Sequence, residues 1–162
     1  MKTTALVAAA VLFPATATAS AGPAHADPAV QPPAGAVRVA AYRVTTGFQI
    51  YRCAAGAWTL KGPAAMLRDG RRTAYHSAGP SWQSMTDGSS VTAAKKAESP
   101  VPGAIPQLLL EVTGHGGTAG GELAAVRYIQ RLHTRGGLAP TGACTDGAEQ
   151  PVPYDADYVF WA

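Results

Sequence analysis

Charge is scarce in this sequence. Only 14% of its 162 residues are charged, and 13 basic against 10 acidic side chains leave a net charge of +3. So small a surplus excludes the strongly basic face that nucleic acid or an anionic membrane surface would require. It also argues against a helical bundle, whose helices draw on charged helix formers. Long apolar runs are missing too. The most conspicuous, residues 5–13, is far shorter than the ~20 residues a bilayer-spanning helix needs, so no membrane insertion is expected. Past the N-terminal region the histidines are His76, His115 and His133, which form no H-x-H or H-x-x-x-H pair, and no metal site is expected. No polar spacer and apolar tail of the kind that directs a lipid anchor closes the sequence.

The N-terminal residues read as an export signal. Lys2 supplies the positive charge, residues 5–13 the apolar segment, Pro14 the break, and Ala24-His25-Ala26 the small-residue cleavage pattern. No Arg-Arg pair precedes the apolar segment, which favours the general secretory route. The expected organisation is a cleaved signal over residues 1–26, a flexible Pro-rich mature N-terminus over 27–35, and one β-rich domain over 36–162. The expected location is secreted, outside the cytoplasm, where disulfides persist. The only two cysteines, Cys53 and Cys144, then have one intramolecular pairing available. Closing a loop of about 91 residues stabilises by up to roughly 4–5 kcal/mol in the chain-entropy description.

What the chain has in quantity is turn residues, 18 glycines and 13 prolines. Strands are expected at residues 37–44 and 48–53 around a Thr-Thr-Gly hairpin, then at 57–61 and 64–67. Asp69-Gly70 and Asp87-Gly88 mark further turns, flanking strands at 73–77, 81–85 and 89–95. Pro100, Pro102 and Pro106 predict an irregular connection, followed by a buried strand at 107–113. Residues 122–133 carry apolar groups at nearly helical spacing, yet β-branched and aromatic residues favour a strand. Residues 157–161 close the chain. About nine short strands in this rhythm imply an all-β, single-domain antiparallel sandwich or barrel.

Several short blocks recur in an order that resembles one family. They are Phe48-Gln-Ile-Tyr-Arg-Cys53, Ala57-Trp-Thr-Leu-Lys61, His76-Ser-Ala-Gly-Pro-Ser-Trp-Gln83 with Asp87-Gly-Ser89, Ile105-Pro-Gln-Leu-Leu-Leu110, Tyr128-Ile-Gln-Arg131, Gly136-Gly137 and Pro153-Tyr-Asp-Ala-Asp-Tyr158. Together they resemble the secreted proteins grouped as the domain of unknown function 3455 family, found in bacteria and fungi. Gln107 stands where an aromatic residue is expected. The resemblance implies no activity, cofactor or catalytic residue. Some fungal members carry dehydrogenase-like names, which makes the segment Gly114 to Gly121 worth a test. It contains a literal G-x-G-x-x-A, but two glycines follow where a helix should open, and no acidic residue lies about 20 positions on. No nicotinamide cofactor, and no other cofactor, is expected.

The candidate site lies on a hairpin. With Ala78-Gly79-Pro80 as the turn, His76 pairs with Trp82 on one face and Tyr75 with Gln83 on the other. His76, Trp82, Gln83 and Asp87 are the candidate binding residues, an aromatic platform with hydrogen-bonding neighbours suited to carbohydrate or a cell-surface polymer. A core role for Trp82 and Tyr75 competes with that reading. A secreted hydrolase built near His76 is the alternative, with His76 or His133 joined to Asp87, Asp155 or Asp157. Ser81 lies outside any Gly-x-Ser-x-Gly elbow. A structural surface protein is the third reading. Arg127, Arg131 and Arg135 fall on one face of an extended strand, where they present either a solvated outer face or a site for acidic polysaccharide or phosphate. Oligomeric state is not legible.

Overall fold

A computed structural model describes residues 27–162; the expected export signal, residues 1–26, lies outside the described residues. The strands are β1 (Arg38–Ala54), β2 (Ala57–Asp69), β3 (Arg72–Ser77), β4 (Ser81–Ser84), β5 (Ser90–Val101), β6 (Ala104–Gly116), β7 (Tyr128–Gly136) and β8 (Glu149–Trp161). Each pairs antiparallel with the next, and β8 pairs back onto β1, so one sheet of eight strands closes into a ring. The ring is uneven: β1 has 17 residues and β4 only 4. Of the two architectures expected from sequence, closure selects the ring.

Eight strands, several of them long, replace the nine short ones expected. Residues 37–44 and 48–53 are not a hairpin. They form one strand, and Thr45 takes up a register shift against both neighbours, so the segment bends without reversing. The actual reversal is at Ala55 and Gly56, both left-handed at φ 52° and 73°, the geometry of a two-residue hairpin turn. Likewise residues 57–61 and 64–67 merge into β2 across a shift opposite Ile50 and Tyr51. The prolines do not interrupt the sheet either. Pro100 lies in β5 and Pro106 in β6, at breaks in the register where no ladder donor is needed.

Inside the ring, Tyr42, Leu67, Trp82, Val91, Leu110, Ile129, Tyr158 and Phe160 belong to one buried cluster. One end is plugged by the β6–β7 connection. Residues 122–127, expected as the start of a strand, form turns that carry Leu123 and Val126 into this cluster, both at 0% exposure. The apolar spacing therefore reports burial of the two side chains in a loop, and the strand begins only at Tyr128. Outside the ring, Val30 packs with Leu109 and Leu132. The carbonyl of Val30 accepts from Gln130 Nε2 at 2.6 Å, and Asp27 accepts from Ser99 Oγ at 2.7 Å. The start of the Pro-rich stretch expected to be flexible is thus docked on β5–β7.

If Leu123 closes this end, Leu123→Ala leaves a cavity in it and should cost about 2–5 kcal/mol in urea unfolding. A cost as small as that of a surface substitution would remove the plug from this account.

Candidate functional site

The β3–β4 hairpin has the register read from sequence, with His76 opposite Trp82 and Tyr75 opposite Gln83. Alternation then separates the two pairs. His76 and Trp82 face the interior at 3% and 1% exposure, their rings stacked with centroids 4.2 Å apart and planes 4° from parallel. Tyr75 and Gln83 are on the outer surface. Trp82 offers no face to an external ligand, so a carbohydrate platform cannot be built on it from outside.

Asp87 lies at the plugged end. Its carboxylate accepts from Ser89 N at 2.9 Å, Ser89 Oγ at 2.6 Å and Glu122 N at 2.7 Å, and these hydrogen bonds hold its pKa well below the usual carboxylate range. Glu122 in turn accepts from the Tyr42 hydroxyl at 2.6 Å and pairs with Arg72. Asp87 therefore pins the plug loop to the β4–β5 turn. A Cβ on Gly117 would stand 1.9 Å from the carbonyl oxygen of Gly88, so the Gly-rich segment is shaped by close backbone approach. It opens onto turns and then β7, with no helix to receive a pyrophosphate.

The opposite end of the ring holds a cavity of about 550 Å³. Its lining runs from Leu60, Lys61 and Leu138 at the rim to His76, Trp82 and Tyr158 at the floor. Leu60 and Leu138 are 56% and 48% exposed, large apolar side chains left at the mouth. Leu138 belongs to the β7–β8 loop, whose residue Cys144 is joined to Cys53 of β1 by a disulfide. Further ties hold the same loop: Cys53 N donates to Ala148 O, Gly56 N to Asp146 Oδ1, and the Tyr51 hydroxyl to Gly137 O at 2.7 Å. One wall of the mouth is thus fastened covalently and by hydrogen bonds to β1.

Polar groups of the cavity wall went unnoticed in the sequence. The three arginines expected on one face are split. Arg127 lies in the plug loop and is exposed, as is Arg135, while Arg131 faces inward between Leu108 of β6 and Tyr158 of β8. A bulge between Leu132 and Arg135, with His133 at φ 51°, breaks the alternation that would have kept them together. Arg131 shares the inward phase of Ile129, two residues before it, and that was the available signal. Gln49, 1% exposed, is a second buried polar lining residue. Its Nε2 and the Nε1 of Trp82 lack hydrogen-bond partners among the described residues.

The hydrolase residues do not assemble around His76. Its Nδ1 lies 2.9 Å from the carbonyl oxygen of Ser81, which can only accept, so Nδ1 carries the proton. The Ser81 hydroxyl is 2.8 Å from that of Ser77. His133 does meet Asp157, at 2.8 Å, in an outer cleft with Arg43, Arg135 and Asp155, and no serine, threonine or cysteine lines it.

Burial, reinforced by the charge of Arg131, lowers the His76 pKa from 6.5 to about 3. The unfolded chain then takes up a proton below about pH 6.5 that the folded chain refuses, so stability falls as pH drops from 6.5 towards 3. The expected slope from this group is roughly 1.4 kcal/mol per pH unit. His76→Gln should flatten that slope between pH 6 and 5 in urea titrations; an unchanged slope would mean that His76 protonates in place.

The family model described as protein of unknown function (DUF3455) matches residues 33–162. No curated protein and no solved structure matches the chain. The chain belongs to the DUF3455 family.

Proposed function

We propose, since family membership carries no activity with it, that this is an exported binding protein that holds a small, largely apolar molecule inside the ring. The observation that carries this reading is the cavity of about 550 Å³, within the range of small-ligand sites and lined by Ile105, Leu108 and Leu110 below an apolar rim. Eight-stranded rings are just wide enough either to fill with side chains or to hold one small ligand. Here Leu123 and Val126 fill one end and leave the other to a guest. Export is supported by the signal pattern of residues 1–26 and by the Cys53–Cys144 disulfide. Binding is preferred to hydrolysis because the His76 imidazole is committed to a backbone carbonyl and not to a hydroxyl nucleophile.

A second reading places carbohydrate on the outer face. Tyr75, 38% exposed, pairs with Gln83 beside Ser90, Thr92 and His115, giving an aromatic ring among hydroxyl and amide groups. In this version the stacking residue is Tyr75 in place of Trp82.

Nile red, a neutral apolar dye, should show saturable fluorescence enhancement with the protein. Leu108→Trp, which fills the cavity, should abolish it while the variant still unfolds cooperatively. Absence of saturable binding to the wild-type protein would overturn the cavity reading. On a glycan array, Tyr75→Ala should lose any signal and keep Nile red; a silent wild-type protein removes the second reading.

A further inference from the structure

Arg131 is a cation placed inside an otherwise apolar cavity. It is half-buried between Leu108 and Tyr158, and among the described residues no carboxylate lies within ion-pairing distance of it. The acids near the mouth are engaged elsewhere: Glu98 pairs with Lys95 and Glu149 with Lys61, each at 2.7 Å. The guanidinium is nevertheless held in place. Nε and Nη2 both donate to the carbonyl oxygen of Pro106, at 3.1 and 2.8 Å, and the Tyr158 hydroxyl stands beside it. Those contacts use the Nε edge and leave the Nη1–Nη2 end without an acidic partner. A charge removed from water is costly unless an opposite charge meets it, and none does in the described chain. The unpartnered wall atoms nearby, Gln49 Nε2 and Trp82 Nε1, are donors as well. What this cavity is missing is an acceptor.

We propose, resting on the cavity reading above, that the ligand is an amphipathic carboxylate whose head group is received by Arg131 and whose apolar body lies along Leu108, Leu110 and Ile105 towards the mouth. A carboxylate matches the two parallel donors of a guanidinium end, and its negative charge supplies what the wall lacks. Neutral apolar molecules enter the same space but leave the arginine unpaired, so they bind more weakly. The exposed Leu60 and Leu138 suit a chain or ring that reaches the rim.

The test compares decanoate with 1-decanol as competitors of Nile red at neutral pH. The wild-type protein should prefer decanoate by about 10-fold or more. Arg131→Met should erase that preference while still binding Nile red and decanol, and Arg131→Lys should retain part of it. Equal affinity of the wild-type protein for the two probes overturns the proposal whether or not the variants fold, and so does a preference that survives in Arg131→Met. In either case saturable Nile red binding leaves the cavity reading standing, whereas absence of all binding removes both together.

Discussion

Closing a single sheet on itself is the constraint from which the rest of this structure follows. With β8 hydrogen-bonded to β1 along most of its length, and Val37 and Ala162 exchanging backbone hydrogen bonds beyond it, neither strand offers an open edge. Closure then creates an interior that must be filled, and eight strands enclose more volume than their own inward side chains occupy at both ends. The chain meets this demand by spending its longest unpaired connection, between β6 and β7, on a plug. At the other end the β7–β8 connection is strapped along the outside of the rim by Cys144 and its neighbours, so the space beneath it stays empty. Two long loops, used differently, give the ring a shut end and an open one.

The shut end is held by polar geometry rather than by apolar contact alone. Leu123 and Val126 supply the burial, but a loop of glycines cannot fix its own path. Asp87 does so from the opposite turn, gathering the backbone of Glu122 and both donors of Ser89, while Glu122 reaches the Tyr42 hydroxyl within the sheet. That pattern explains two sequence features at once. The Asp-Gly dipeptide is a turn and also a clamp, and the glycine run beyond β6 is what allows the two turns to approach within contact distance. A nucleotide-binding loop and a packed loop can share the same glycines; only the element that follows tells them apart, and here it is a strand.

The β architecture, the disulfide pairing and the His76–Trp82 register were legible because each depends on local rules: turn dipeptides, the parity of cysteines and the alternation of a strand. Alternation also contained the answer to which hairpin face is buried, but nothing local says which of two aromatic-bearing faces, Trp82 or Tyr75, turns inward. That is decided by closure of the whole sheet. The bulges at Thr45 and His133 were illegible for a similar reason, since an extra residue is recognised only against a partner strand distant in sequence. The second bulge had the larger consequence. It divided Arg131 from Arg135 and hid a cavity-lining cation inside what read as a stripe of surface charge.

Arg131 also bears on why the interior tolerates so many polar rings. Tyr154 and Tyr158 face each other at 3.1 Å, and burial raises the pKa of both phenols, with the cation opposing that rise. The same charge works with burial on His76, keeping the imidazole neutral and therefore able to stack flat on Trp82. A single guanidinium thus stabilises the neutral histidine and draws electron density from the surrounding phenols, while its own unmet demand is turned towards the mouth. Removing it would relieve an unpaired charge and at the same time leave an all-neutral aromatic floor. The arrangement is internally consistent only if the cation is answered from the cavity side, which joins the packing of the floor to the chemistry of whatever occupies the space above it.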